Sequence, residues 1–224
     1  MLSEKEKLDR LTYLGVELNQ VRDMDILMER VLECARSFVN ADAGSIYIRN
    51  KDTNTLQFTY TQNDTLQKRL PPGEKLIYAT FTLPIDTESM SGYVATTGRL
   101  LNIPNVYEIE PTAPYHFGKQ FDEESGYQSK SVITVPLETR RGDILGILQI
   151  INAQDENKII VPFTDSDEKL MLHFASTAAV ALERAQMTRS ILLRMIRMSE
   201  MRDPKETGAH VNRVGGYSVE IYEQ

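Results

Sequence analysis

The chain opens on a helical period. Over residues 3–19 the apolar side chains Leu8, Leu11, Tyr13, Leu14 and Leu18 recur close to a three/four spacing, with charges between them. A second helix is predicted over 25–39, with Leu27, Val31, Cys34 and Phe38 on one face and Asp23 or Asp25 able to cap its start. The period then falls to two. Residues 45–49 alternate as a half-buried strand, 50–54 carry turn chemistry, and 56–61 alternate again, which predicts a hairpin. Pro71-Pro72-Gly73 breaks the chain. Residues 89–97 read as a short helix capped by Ser89 and ended by Gly98, and 100–103 as a short strand before Pro104.

Residues 105–130 form a long polar stretch holding Pro111, Pro114, Gly118 and Gly126. Compact domains keep such loops mainly as lids or binding loops. Two segments rich in Val, Ile and Leu follow, 131–137 and 144–152, and the polar link 138–143 makes them a second hairpin. Their nearly continuous apolar character predicts strands buried on both faces, hence helices on both sides of the sheet. Thr164 and Asp167 form a capping-box-like pair, with Asp in place of Glu or Gln. A long helix starts there and runs through Leu170, Phe174, Ala178, Ala181, Ala185, Leu192, Met195, Met198 and Met201. It is expected to end near Asp203, because Pro204 disfavours helical geometry in its predecessor. About 38 residues at 1.5 Å each span roughly 55 Å, so the second half outruns a domain of this size. Its apolar stripe needs a partner, and the simplest is the same helix of a second copy. The N-terminal helix has the same need, so a homodimer through the N- and C-terminal helices is expected.

Composition narrows the classes. The chain has 224 residues, 41% hydrophobic and 25% charged, which is enough for a self-supporting core and too apolar for disorder. Cys34 is the single cysteine, which excludes a disulfide framework, an iron–sulfur cluster and a structural zinc knuckle. One thiol and no signal-peptide pattern predict a cytoplasmic location. No apolar run approaches the roughly 20 residues that cross a bilayer, so no membrane partner is expected. Lys and Arg number 25 against 32 Asp and Glu, a net charge of −7, which argues against a nucleic-acid partner.

The order of elements, together with specific residues, resembles the GAF domain. Ser91-Gly92-Tyr93-Val94-Ala95-Thr96-Thr97-Gly98 followed by Leu101-Asn102-Ile103-Pro104-Asn105-Val106-Tyr107 looks like the helix–strand unit of that family. Gly126 through Leu137, then Gly146 through Asn152, then Phe163-Thr164-Asp165-Ser166-Asp167-Glu168, match its later strands and closing helix. The resemblance covers about residues 23–186. It implies an α+β fold: a central antiparallel sheet of about six strands, helices on both faces, and long N- and C-terminal signalling helices. It also implies a pocket between the sheet and the 105–130 lid for an unknown small-molecule ligand. The nucleotide-binding members carry a motif of Asn, Lys, Phe, Asp and Glu. Asn152, Phe163, Asp167 and Glu168 match it, whereas the Lys position is Ala153. The plainer account of these residues is that Phe163 is core and Asp167 serves the helix cap and dipole.

A second resemblance lies near the C-terminus. Arg202-Asp203-Pro204-Lys205-Glu206-Thr207-Gly208-Ala209-His210-Val211-Asn212-Arg213-Val214 looks like the opening of an HD-GYP phosphodiesterase domain, a family that hydrolyses cyclic di-GMP at a site of two or three metals. Glu206 and His210 match its first metal-binding positions, and residues four apart share a helical face. A divalent metal, Fe or Mn, is expected in such a domain, where it would polarise the phosphate and supply hydroxide. The sequence holds no His-Asp dipeptide and no Gly-Tyr-Pro triplet, so it is expected to be non-catalytic itself, a piece of a larger phosphodiesterase. The expected organisation is therefore an N-terminal signalling helix (1–22), a GAF sensory domain (23–186), a coiled-coil-like linker helix (187–203) and the start of an HD-GYP domain (204–224).

Other candidates are weighed on their surroundings. Cys34 falls at the core-facing helical spacing and reads as a buried structural thiol. His173, beside Phe174, reads as a core or boundary histidine. His116 sits among Tyr115, Phe117 and Phe121 in the lid and could ligate haem, or the aromatics could simply pack the loop; Tyr127 is a further lid-side candidate. Lys75, Arg99 and Lys119 could meet an anionic ligand or be solvated charge. A module without a ligand, its pocket filled by Phe58, Tyr60 and Tyr127, would be a dimerisation scaffold.

Overall fold

The computed structural model describes residues 15, 17, 18, 20, 21, 23–76 and 80–202, with side chains up to 198. Of the expected N-terminal helix, residues 15, 17 and 18 are helical and Leu18 is buried; the rest lies outside the described residues. Contacts divide the chain into two units, Met1–Glu183 and Arg184–Gln224.

Helix α1 (Met24–Phe38) begins where the Asp23 carboxylate accepts hydrogen bonds from the backbone N–H groups of Asp25 and Ile26. It buries Leu27, Met28, Val31, Leu32, Ala35 and Phe38. Cys34 lies at the margin of this face and is half-buried, not a core thiol as its spacing suggested. The first hairpin is β1 (Ala41–Asn50) and β2 (Thr55–Asn63). A short helix α2 (Asp64–Gln67) and an edge strand β3 (Thr82–Pro84) follow, neither of which the pattern announced. Then come α3 (Met90–Thr97), β4 (Leu101–Ile103), a 3-10 turn (Val106–Glu108) and α4 (Gln120–Ser125). The second hairpin is β5 (Val132–Glu138) and β6 (Ile144–Gln154), and β7 (Ile160–Val161) precedes α5 (Asp165–Arg202).

The strands form one antiparallel sheet in the order β3-β2-β1-β6-β5-β4, with β7 also paired to β6. The two hairpins thus join through β1 and β6, which occupy the centre. That position corrects the reading of β1: seven of its residues in a row, Ala41 to Tyr47, are buried, so it is covered on both faces. A Cβ on Gly44 would lie 2.9 Å from Leu32 and 3.0 Å from Ile150, which identifies the face turned to α1. The opposite face meets α3, whose Val94 and Ala95 pack with Tyr47, Phe58 and Ile147. The segment 105–130 is also not a bare loop, since it carries the 3-10 turn and α4.

Helix α5 starts with the expected reciprocal cap. The Asp167 carboxylate accepts from the Thr164 backbone N–H at 2.9 Å, and the Asp167 N–H donates to Thr164 Oγ1 at 3.2 Å. Its buried side is Met171, Phe174, Ala175, Ala178, Ala179 and Leu182, the alanines permitting close approach. Phe174 meets Phe38 with ring centroids 5.8 Å apart. His173 is exposed, which corrects its reading as a core or boundary residue. The helix is unbroken over 38 residues; its expected stop at Asp203 lies outside the described residues. In the second unit, Met187, Ile191, Leu192, Leu193, Met195, Ile196 and Met198 are all exposed.

Gly146 stands opposite Ile48, and a Cβ there would lie 2.4 Å from the Tyr47 carbonyl oxygen, a backbone atom with no room to yield. Gly146→Ala is expected to cost about 3 kcal/mol in urea unfolding. Thr164→Ala, which breaks the cap of α5, is expected to cost about 1 kcal/mol in the same measurement.

Candidate functional site

Residues opposed across antiparallel strands share a face. On the α3 face, Thr61 of β2 opposes Ser45 of β1, Ser45 opposes Gln149 of β6, and Gln149 opposes Thr134 of β5. A polar row therefore crosses the floor of the sheet. On one side of it runs Phe58–Tyr47–Ile147–Pro136, and on the other Asn63–Ala43–Ile151–Val132. Ser45, Gln149 and Thr134 are buried and Thr61 is half-buried. Ser45 Oγ lies 3.1 Å from Thr61 Oγ1, and the Thr61 hydroxyl donates to the Gly44 carbonyl at 3.0 Å. Gln149 Nε2 donates to Thr134 Oγ1 at 3.2 Å.

Apolar clusters ring this row. Tyr47, Leu56 and Phe58 pack with Val94 and Ala95. Met90, Ile103, Val106 and Val132 pack with half-buried Tyr115 and Phe117. Ala43, Leu66 and Tyr127 pack with half-buried Leu76. Helix α3 is positioned by its ends: Ser89 Oγ accepts from the Gly92 N–H, and Gly98 closes the last turn in the left-handed conformation, φ 68°. Within α3, Ser91 hydrogen-bonds the Tyr47 hydroxyl, and burial pushes the Tyr47 phenol up to about 12.

The segment over the site is tied down by buried polar groups. Asp122 accepts from the Tyr107 hydroxyl (2.6 Å), the Ser129 N–H (2.7 Å) and the Ser129 hydroxyl (2.9 Å). Asn152, at φ 58°, accepts from the Lys130 N–H at 2.7 Å and donates to the Gln128 carbonyl at 2.7 Å and the Tyr127 hydroxyl at 2.9 Å. Tyr127 in turn donates to Asp42 at 2.9 Å; burial first, and then the Asp42 carboxylate, hold its phenol far above its ordinary range. Between these anchors the His116 N–H donates to the Glu88 carbonyl at 2.7 Å, so the middle of the segment leans on the entry to α3.

The sequence candidates divide. Tyr115 and Phe117 face the site: Tyr115 meets Tyr93 (centroids 5.0 Å) and Phe117 meets Tyr107 (5.3 Å). The His116 side chain is exposed, pointing away from the packing role of its neighbours and from the buried setting expected of a haem ligand. Tyr127 and Asn152 are anchors of the lid. The remaining motif residues do not join them. Phe163 is core, Asp167 caps α5, and Glu168 accepts from Asn102 Nδ2 at 2.9 Å, an amide that also donates to the Phe163 carbonyl at 3.2 Å. These contacts brace the start of α5 against β4. Ala153, at the Lys position of the motif, is buried. Tyr60 lies on the α1 face, its hydroxyl donating to Asp25, and so does not fill the α3-side site. Lys75 and Arg99 are exposed, and Lys119 sits over the Tyr107 ring at 5.6 Å. Glu206 and His210 lie outside the described residues, and no group of His, Cys, Asp or Glu able to hold a metal occurs among the described ones. No described helix is long and apolar enough to cross a membrane.

The polar row itself went unread in the sequence. Its signal was there: Thr134 and Gln149 interrupt strands otherwise apolar enough to be buried on both faces. A cleft of about 180 Å³ along β2, lined by Glu29, Leu32, Thr59, Tyr60, Thr61, Gln62 and Leu76, is smaller than ordinary ligand pockets of about 300 Å³ or more and is not the site.

Tyr127→Phe leaves Asp42 and Asn152 each short of a buried partner and is expected to cost about 1–3 kcal/mol at neutral pH in urea unfolding. Tyr47 titrates higher folded than unfolded, so the stability this supplies is intact below pH 10 and is lost as pH rises through about 12. Stability is expected to fall above pH 10, and to fall less steeply in Tyr47→Phe.

The family model of the GAF domain matches residues 23–182. A probable 3',5'-cyclic phosphodiesterase, pde-5 of Caenorhabditis elegans, is 29% identical over 173 residues, 75% of this chain and 22% of that protein. The dual 3',5'-cyclic-AMP and -GMP phosphodiesterase 11A of Takifugu rubripes is 31% identical over 96 residues, 43% of this chain and 10% of that protein. The chain therefore spans less than a quarter of either relative. Among solved structures, the GAF domain from an Acinetobacter phosphoenolpyruvate-protein phosphotransferase aligns with a TM-score of 0.60 at 17% identity, covering 84% of this chain and 99% of that one. The matched stretch contains the whole sheet, the polar row and the segment that roofs it, and the chain belongs to the GAF domain family.

Proposed function

We propose that the chain is the regulatory module of a signalling protein, binding a small molecule on the α3 face and dimerising through its N- and C-terminal helices. The observation that carries this reading is the row Thr61–Ser45–Gln149–Thr134, polar side chains set into a floor that is otherwise mostly apolar. Polar groups are costly to bury and are placed where they have something to bind. The relatives named above are cyclic-nucleotide phosphodiesterases, which supports a phosphodiesterase output. The resemblance at Glu206 and His210 supports, more narrowly, a metal-dependent HD-GYP output acting on cyclic di-GMP. Location in the cytoplasm is part of the same proposal.

The exposed apolar side chains of α5, from Met187 to Met198, support a twin helix as partner. A ligand then regulates only to the extent that its affinity differs between two arrangements of the paired helices. A second reading, a ligand-free dimerisation scaffold, is favoured by Phe58, which packs between Tyr47 (5.4 Å) and Phe81 (4.6 Å) and fills part of the α3 face.

Native mass spectrometry of the purified chain is expected to show a dimer with a retained small molecule. A dimer stripped of any ligand at every stage of purification supports the scaffold instead. Light scattering at micromolar concentration is expected to give twice the chain mass, and a monomer there overturns the dimer.

A further inference from the structure

We propose that Asn102 couples the roof of the α3-side site to the first turn of α5, with edge strand β4 as the lever between them. The inference rests on the regulatory reading above and gives it a route through the fold. Successive residues of a strand point to opposite faces of its sheet. β4 has three residues, and its two faces meet different elements. Leu101 and Ile103 oppose Thr134 and Val132 and so lie on the α3 face. Ile103 packs there with Met90 at the start of α3 and with Val106 of the 3-10 turn, and Leu101 packs against the same cluster. Asn102 opposes Ile133, Ile133 opposes Ile150, and Ile150 opposes Gly44, which places Asn102 on the α1 face. From that face its Nδ2 donates to Glu168 Oε1 at 2.9 Å and to the Phe163 carbonyl at 3.2 Å, both at the start of α5.

β4 is the last strand of the sheet and pairs with β5 alone, so it moves more easily than the strands at the centre. It also links α3, which ends at Gly98, to the 105–130 segment, whose Val106 N–H donates to the Lys130 carbonyl. A shift of either roof element therefore acts on β4. On the receiving side, residues 164–170 are exposed or half-buried, and the first core residue of α5 is Met171. A turn so thinly packed takes its position from hydrogen bonds. Asn102 Oδ1 is buried and has no partner, so the amide is fixed through Nδ2 alone. An unmade bond of that kind is costly for a brace that serves stability only. Turning the amide over would set Oδ1 against the Glu168 carboxylate, which leaves one orientation, with both acceptors at the start of α5. Displacing β4 then strains both bonds at once.

The test uses the full chain and no ligand. Amide hydrogen exchange is read by NMR at 168–170, whose N–H groups bond in the first turn, relative to 44–48 of β1 as the measure of global opening. Val106→Ala, which loosens the cluster over Ile103, is expected to speed exchange at 168–170 by about fivefold or more on that scale. In Asn102→Leu the same substitution is expected to change it less than about twofold. Glu168→Ala removes the nearer acceptor and leaves β4 intact, so it is expected to shrink the response in the same way even if Asn102→Leu fails to fold. Equal responses to Val106→Ala with and without these substitutions make Asn102 a brace and nothing more, and overturn the proposal. So does exchange at 168–170 that Val106→Ala leaves unmoved in the otherwise wild-type chain. Because no ligand enters, either failure leaves the sensor reading standing, and loss of that reading to the scaffold leaves this coupling to be measured as before.

Discussion

The antiparallel pairing of β1 with β6 is the contact on which the rest depends. It joins two hairpins whose strands lie about a hundred residues apart in the chain, with Ala43 opposite Ile151 and Tyr47 opposite Ile147. Both strands are covered by α1 on one face and by α3 and the 105–130 segment on the other. Close approach at this seam requires small residues, Gly44 beneath Leu32 and Gly146 against the Tyr47 carbonyl. The same register lays Ser45 beside Gln149 and so extends a polar row across the sheet. Slipping it by one residue would turn that row toward α1 and the apolar positions toward α3.

Two kinds of buried polarity coexist on this face. The Asp42–Tyr127–Asn152 and Tyr107–Asp122–Ser129 groups are closely satisfied and hold the ends of the 105–130 segment. Satisfied networks of this sort fix one arrangement, because any departure leaves donors or acceptors unpaired in a low dielectric. The row along the floor is different. Its side chains bond chiefly to one another, Ser45 to Thr61 and Gln149 to Thr134.

The nucleotide-binding motif of the family has been put to structural use here. Asn152 holds the lid, while Phe163, Asp167 and Glu168 set the start of α5 against β4 through the Asn102 amide. Ala153, at the Lys position, is buried. Helix α5 then continues to Arg202 with exposed apolar side chains along its later turns.

Local chemistry determined a good deal. Asp23, Ser89, Gly98 and the Thr164–Asp167 pair each act within a few residues, and each capped or ended the helix the sequence assigned to it. The two hairpins were legible for the same reason, since their turns and periods are contiguous. What the sequence left open were properties set by distant neighbours. Ser45 and Arg49 made β1 look half-exposed, because a polar residue in a strand reads as solvent-facing until the partner that buries it is known. Tyr60 and Phe58, two positions apart on either side of a register shift, face opposite sides of the sheet. Thr61, Ser45, Gln149 and Thr134 come from four strands and become one row only when the pairing aligns them. Helix ends are decided by a few adjacent atoms; a site assembled across a sheet is decided by register, which only the folded chain contains.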